Sequence, residues 1–115
     1  MPRATNAPAS RRRRKKIIKS AKGYWGARSR LITSARQTVS RARLSAYRDR
    51  RRKKREFRRL WITRINAACH LHGLSYSSFL MALKAKGMEM DRKALADIAA
   101  RDPESFAQIV ASVRS

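Results

Sequence analysis

The chain has 115 residues, of which 30 are Lys or Arg and 7 are Asp or Glu, so its formal net charge is +23 at neutral pH. No stretch of 18 or more apolar residues occurs, which excludes a transmembrane helix. A secretory signal needs an apolar run after its basic start, and here only Ile17 and Ile18 follow Lys16. The single cysteine, Cys69, excludes an intramolecular disulfide and fits a reducing compartment.

The charge is divided unevenly. From Arg3 to Arg64 there are 24 cations and only two acids, Asp49 and Glu56; the remaining 51 residues carry six basic and five acidic groups. The net charges of the two parts are therefore +22 and +1. The first part needs a polyanion to neutralise it, whereas the second has the ordinary balance of a small folded domain.

Residues 1–10, with Arg3, two prolines (Pro2 and Pro8) and small polar residues, read as an extended arm. Arg11, Arg12, Arg13, Arg14, Lys15, Lys16, Lys19 and Lys22 then surround Ile17, Ile18 and Ala21, a run long enough for about three turns of helix. Gly23-Tyr24-Trp25-Gly26 ends it, with two glycines enclosing two aromatics. From Ala27 to His72 neither Gly nor Pro occurs for 46 residues, which predicts a helix about 70 Å long. A thin seam of Leu31, Ala35, Val39, Ala42 and Ala46 runs along its first half at helical spacing. Because alanine buries little area, the seam is expected to touch RNA or a neighbouring protein rather than form one side of a core.

The cations of this segment, Arg28, Arg30, Arg36, Arg41, Arg43, Arg48, Arg50, Arg51, Arg52, Lys53, Lys54, Arg55, Arg58, Arg59 and Arg64, are not confined to one face. At about 100° per residue the cluster over 48–55 points in every direction around the helix axis. Such a helix expects phosphate on all sides. Like charges repel at neighbouring helical positions, so this part is expected to be largely unfolded alone and to become helical on binding.

Beyond residue 60 the punctuation is that of short helices. Leu60, Trp61, Ile65, Ala68, Cys69 and His72 form a stripe that Gly73 is placed to cap. Ser75 opens a helix with Phe79, Leu80 and Leu83, and Asp91 opens another with Leu95, Ile98 and Ala99. Asp102-Pro103-Glu104 combines a capping carboxylate, a proline at the first helical position and an acid at the positive end of the dipole. Phe106, Ile109, Val110 and Val113 follow at core-facing spacing. With no alternating strand pattern, the fold class is all-α: a long basic helical N-terminal extension over residues 1–56, followed by a small C-terminal helical bundle over residues 57–115. Trp61, Ile65, Phe79, Leu83, Leu95, Ile98, Phe106 and Ile109 are its expected core.

Catalytic and metal chemistry find little support. His70 and His72 are two apart, so they face away from each other on a helix, and no further ligand completes a tetrahedral set with Cys69. Asp49 and Glu56 fit intrahelical ion pairs, Asp49 with Lys53 and Glu56 with Arg52 or Arg59. No phosphate-cradling glycine loop or dinucleotide fingerprint occurs, and no cofactor is implied. A solvated charged face normally mixes signs, which 24 cations against two acids does not. Of the 30 cations 21 are Arg, whose flat guanidinium forks onto phosphate and stacks on exposed bases, which favours RNA over DNA. Tyr24 and Trp25 are candidates for base stacking or for packing onto the protein, and Trp61 is read as core. The alternatives of other classes are a DNA-compacting chromosomal protein, an organellar transit peptide, and a membrane-active cationic helix that the Ala-rich seam does not supply.

Residues 21–29 (Ala-Lys-Gly-Tyr-Trp-Gly-Ala-Arg-Ser), Tyr47-Arg48-Asp49-Arg50-Arg51, Phe57-Arg58-Arg59-Leu60-Trp61-Ile62 and Arg64-Ile65-Asn66-Ala67-Ala68 carry a resemblance. Gly73-Leu74-Ser75-Tyr76-Ser77, Asp91-Arg92-Lys93 and Leu95-Ala96-Asp97-Ile98-Ala99 extend it. Together they closely resemble the bacterial-type large-subunit ribosomal protein family called L-twenty, over almost the whole chain. The resemblance implies a non-enzymatic protein of the cytoplasmic ribosome that binds large-subunit ribosomal RNA (rRNA) directly, threads its basic extension into that RNA and organises its folding early in assembly. It also implies neighbouring large-subunit proteins, notably those called L-thirteen and L-twenty-one, as partners, and its own messenger RNA as a further candidate, with no membrane and no small-molecule substrate. The match begins near the N-terminus, which weighs against the transit-peptide alternative.

Overall fold

A computed structural model of the chain describes Met1 and residues 3–115. The elements are α1 (Ala7–Ser20), a short 3-10 helix (Gly26–Ser29), α2 (Ile32–Leu71), α3 (Tyr76–Ala85), α4 (Arg92–Arg101) and α5 (Pro103–Arg114), with no strand among the described residues. The fold is therefore all-helical, as the sequence pattern indicates. The chain divides into two compact units, Met1–Arg51 and Arg52–Ser115, and α2 contributes residues to both.

Two boundaries differ from the sequence reading. The N-terminal arm is shorter than the ten residues expected, because α1 begins at Ala7 with Pro8 in its first turn. Proline is suited to that position: its fixed φ is already helical and its missing N–H is one that the first turn leaves unbonded. Pro2 lies outside the described residues. The unbroken 46-residue helix is likewise shortened to 40, since the chain after Gly26 first makes the 3-10 helix and enters α2 only at Ile32. The Leu31 N–H closes back onto the Ala27 carbonyl at 2.8 Å, and the Leu31 carbonyl then accepts from Ala35 N–H at 2.8 Å, so two helical ladders meet there.

In the first unit Ala21, Ala35 and Val39 are buried against one another, with Ile17, Ile18 and Tyr24 packed around them. The expectation that the seam of α2 meets only RNA or another protein is corrected over this stretch. Ala35 and Val39 form one side of a small core, whereas Leu31 and Ala46 are exposed and Ala42 is half-buried. Alanine permits this because its small side chain lets two helices approach closely; the area buried remains small.

The second unit has a conventional core. Ile65 and Cys69 of α2, Phe79 and Leu83 of α3, Leu95 and Ala96 of α4, and Phe106, Val110 and Val113 of α5 are all buried together. Trp61, Ile98 and Ile109 pack against this cluster while remaining half-buried. Phe79 and Phe106 meet with ring centroids 5.4 Å apart and planes tilted by 41°, a favourable aromatic arrangement.

Polar groups fix the helix ends in this unit. The Ser75 side chain accepts from Ser78 N–H at 3.2 Å, Asp91 accepts from Ala94 N–H at 2.6 Å, and Asp102 accepts from Ser105 N–H at 3.1 Å. Each satisfies an N–H that the first turn of a helix otherwise leaves without a partner. At the other end of α2 the Leu74 N–H donates to the Cys69 carbonyl at 3.0 Å across Gly73, and Arg114 donates to the His72 carbonyl at 2.6 Å. The C-terminal arginine thereby places a cation where the dipole of α2 is negative.

Candidate nucleic-acid interface

All 24 cations from Arg3 to Arg64 are exposed, and no polar or charged residue is buried among the described residues. A lysine or arginine is costly to bury without a counterion, and two acids cannot serve 24 cations. The fold accordingly presents every one of these groups outward.

Part of the basic run of α1 and the turn after it shares one surface. Arg11, Arg14, Lys15, Lys19 and Lys22 line a shallow depression of about 440 Å³, with Ile18 as its apolar floor, where the stems of the long side chains shelter apolar surface and leave the heads free. Ile17 and Ile18 are the two residues of this run that α1 turns toward the small core.

The segment between α1 and α2 separates its two aromatics. Tyr24 is half-buried against the Ala21–Ala35–Val39 core, whereas Trp25 is 89% exposed. Gly23 and Gly26 both adopt positive φ, 86° and 56°, a region open to glycine at little cost. The two glycines bracket the aromatic pair between the end of α1 and the 3-10 helix, which Ser29 secures by donating from its hydroxyl to the Gly26 carbonyl at 3.0 Å. The packing alternative thus describes Tyr24. Trp25 leaves its indole open to solvent.

Along α2 every residue of 43–60 is exposed. The cluster over 48–55 lies within this stretch and retains its all-round angular distribution. The two acids engage only local neighbours. Glu56 pairs with Arg59 at 4.0 Å, one of the expected partners, whereas Asp49 pairs with Arg48 at 3.6 Å and not with Lys53. Lys53 instead places its Nζ 6.0 Å from the Phe57 ring centroid, and Arg51 lies 5.0 Å from that of Tyr47. In water an exposed carboxylate holds any one cation weakly, so an aromatic face nearby competes on equal terms. The remaining guanidinium and ammonium groups are available for phosphate.

The second unit contributes no reactive group to chemistry. Cys69 is fully buried, and burial raises its thiol pKa above the ordinary value, keeping it protonated and unreactive. His72 packs against Phe106 with ring centroids 6.2 Å apart. Sequence reasoning missed one basic group of this unit: Arg92 and Lys93 lie beside Trp61, Arg58 and Lys54 around a single cleft. Its only signal in the sequence was Asp91-Arg92-Lys93, which was read as a helix start.

The family model described as Ribosomal protein L20 matches residues 3–109. The chain is 58% identical over 110 residues to the large ribosomal subunit protein bL20 of Salinibacter ruber, covering 96% of each chain. It is also 58% identical over 113 residues to that of Amoebophilus asiaticus, covering 98% of this chain and 99% of the relative. Over 110 residues it is 56% identical to that of Carboxydothermus hydrogenoformans, covering 96% and 94%. The chain therefore belongs to the ribosomal protein L20 family, whose members are structural proteins of the large ribosomal subunit and not enzymes.

Proposed function

We propose that this chain binds large-subunit rRNA directly and organises its folding early in subunit assembly. The observation that carries the proposal is the basic surface from Arg3 to Arg64: 24 exposed cations, with every residue of 43–60 exposed and cations pointing all round the axis of α2. A duplex lying on one side of a helix would use only one basic face. A helix cationic on all sides suits a passage between several RNA segments, whose phosphates it brings together by neutralising them.

The mechanism is counterion release. Neutralising ten phosphates makes log K fall by about seven to nine for each tenfold rise in salt. Trp25 stacks on an unpaired base beside the phosphates held by Arg28 and Arg30. The partners that fit are rRNA and adjoining large-subunit proteins, including those called L-thirteen and L-twenty-one. The chain's own messenger RNA is a further target, and the place of action is the cytoplasmic ribosome.

Crosslinking the chain to RNA in growing cells and sequencing the attached fragments tests this reading. Fragments concentrated in a few segments of large-subunit rRNA are expected. Predominant recovery of unrelated messenger RNA, or of chromosomal DNA in a parallel DNA arm, would overturn it.

A further inference from the structure

Two clefts of the second unit meet at Trp61. One, of about 440 Å³, is lined by Lys54, Arg58, Trp61, Asp91, Arg92 and Lys93. The other, of about 430 Å³, shares Trp61, Asp91 and Lys93 and adds Arg64, Asp97 and Arg101. Both volumes lie in the range of about 300–1,000 Å³ common to small-ligand sites.

The acids of these clefts are already engaged. Asp91 accepts the Ala94 N–H at 2.6 Å as the cap of α4, and Asp97 pairs with Arg101 at 2.9 Å. Arg92 is oriented by donating from Nε to the Tyr76 hydroxyl at 2.9 Å. Lys54, Arg58, Arg64 and Lys93 have no acidic partner within salt-bridge distance among the described residues. Trp61 is half-buried, close to Phe57 at 6.3 Å between ring centroids, and lines both clefts. An aromatic ring between two sets of unpaired cations matches the parts of a nucleotide: a base with a π face, and phosphates on either side of it.

We propose that the Trp61 clefts bind an unpaired nucleotide of RNA, its base against the Trp61 indole and its flanking phosphates on Arg58 and Lys93. This rests on the reading that the chain binds RNA and deepens it, because it adds a site on the second unit with a different requirement. The extension takes phosphate from any RNA form. The clefts need a base that has left its helical stack, since a duplex hides base faces and offers only its backbone. Base–aromatic stacking tolerates any sequence, so the site selects single-stranded structure before base identity.

The test uses the full-length chain carrying Trp25→Phe, which leaves Trp61 as the one tryptophan of the two. Fluorescence is titrated with hexaadenylate and hexauridylate, and with a 12-base-pair RNA duplex, while filter retention on a large-subunit rRNA fragment is measured in parallel. Both hexanucleotides are expected to quench Trp61 saturably, and the duplex to leave it unchanged. Arg58→Gln and Lys93→Gln, both at exposed positions, are expected each to weaken the quenching titration several-fold, about three- to tenfold. Retention of rRNA with Trp61 silent to the hexanucleotides overturns the cleft proposal alone, as does equal quenching by the duplex. Loss of rRNA retention altogether overturns the broader reading on which it rests.

Discussion

The two units differ in what holds them. The second, Arg52–Ser115, buries nine residues in one cluster and closes its helices with side-chain caps; the first, Met1–Arg51, buries only Ala21, Ala35 and Val39 among its described residues. Two alanines and a valine contribute little against the entropy of ordering so many residues, and like charges along α1 and α2 oppose the helix further. The same chain therefore contains one unit with a core of nine buried residues and one with little buried apolar area beneath many like charges. The charge is divided in the same sense: Met1–Arg51 carries 17 cations against one acid, a net of +16, and Arg52–Ser115 carries 13 against six, a net of +7.

The largest expected effect that sharpens this contrast is in the second core. Phe106→Ala removes a ring packed on Phe79 and His72 and should cost about 3–5 kcal/mol. That is most of the stability of a body this small, at about 0.05–0.15 kcal/mol per residue. Thermal unfolding followed by near-ultraviolet circular dichroism should lose its cooperative transition, while helix gained on adding rRNA to the first unit persists.

A smaller effect separates the two aromatics of the first unit. Trp25→Ala should weaken rRNA binding by about 1–3 kcal/mol without changing thermal stability. Tyr24→Ala should instead reduce protection of the α1 and α2 amides in hydrogen exchange, because its side chain packs on the small core. Reversed outcomes for the two would contradict their placement.

Smaller again is the cap of α3. Ser75→Ala removes the acceptor of the Ser78 N–H and should lower the stability of the second unit by about 1 kcal/mol, read from denaturant midpoints. The slightest effect expected is on pH dependence. The Ser105 hydroxyl, followed by the Ser105 N–H, donates to the Asp102 carboxylate and holds its pKa below the unfolded value of 3.8. A depressed carboxylate pKa stabilises the folded state above the unfolded pKa, and that contribution disappears as pH falls through the folded value. Acid unfolding of Asp102→Asn should therefore show a shallower loss of stability below about pH 4 than the parent chain.

Much of the second unit is legible in the sequence because its signals are discrete. Ser75, Asp91, Asp102 with Pro103, and Gly73 mark helix ends by chemistry that works locally, and each stands at the terminus it marks. Ile65, Phe79, Leu83, Leu95 and Phe106 are large apolar residues at helical spacing, and all are buried. The first unit was less legible. Its core is built from alanines, which at the level of sequence look the same whether they face a neighbouring helix, RNA or water. Pro8 was read as a breaker, though at the first turn it starts a helix. The basic residues beside Trp61 were hidden for another reason: Arg92 and Lys93 lie 31 and 32 positions from Trp61, and only the packing of α4 against the unit brings them together.

The basic segment from Arg3 to Arg64 should be neutralised by RNA phosphate from all sides, and the salt dependence of binding reads this out. Affinity of the full chain for large-subunit rRNA should be measured by filter retention over a tenfold range of salt. The same series should be run on a chain with Arg50, Arg51, Arg52, Lys53, Lys54 and Arg55 replaced by Gln. The account predicts a slope of log K against log salt of about −7 or steeper for the parent, reduced by about four or five in the substituted chain. A parent slope shallower than about −3, or one unchanged by the six substitutions, would contradict it.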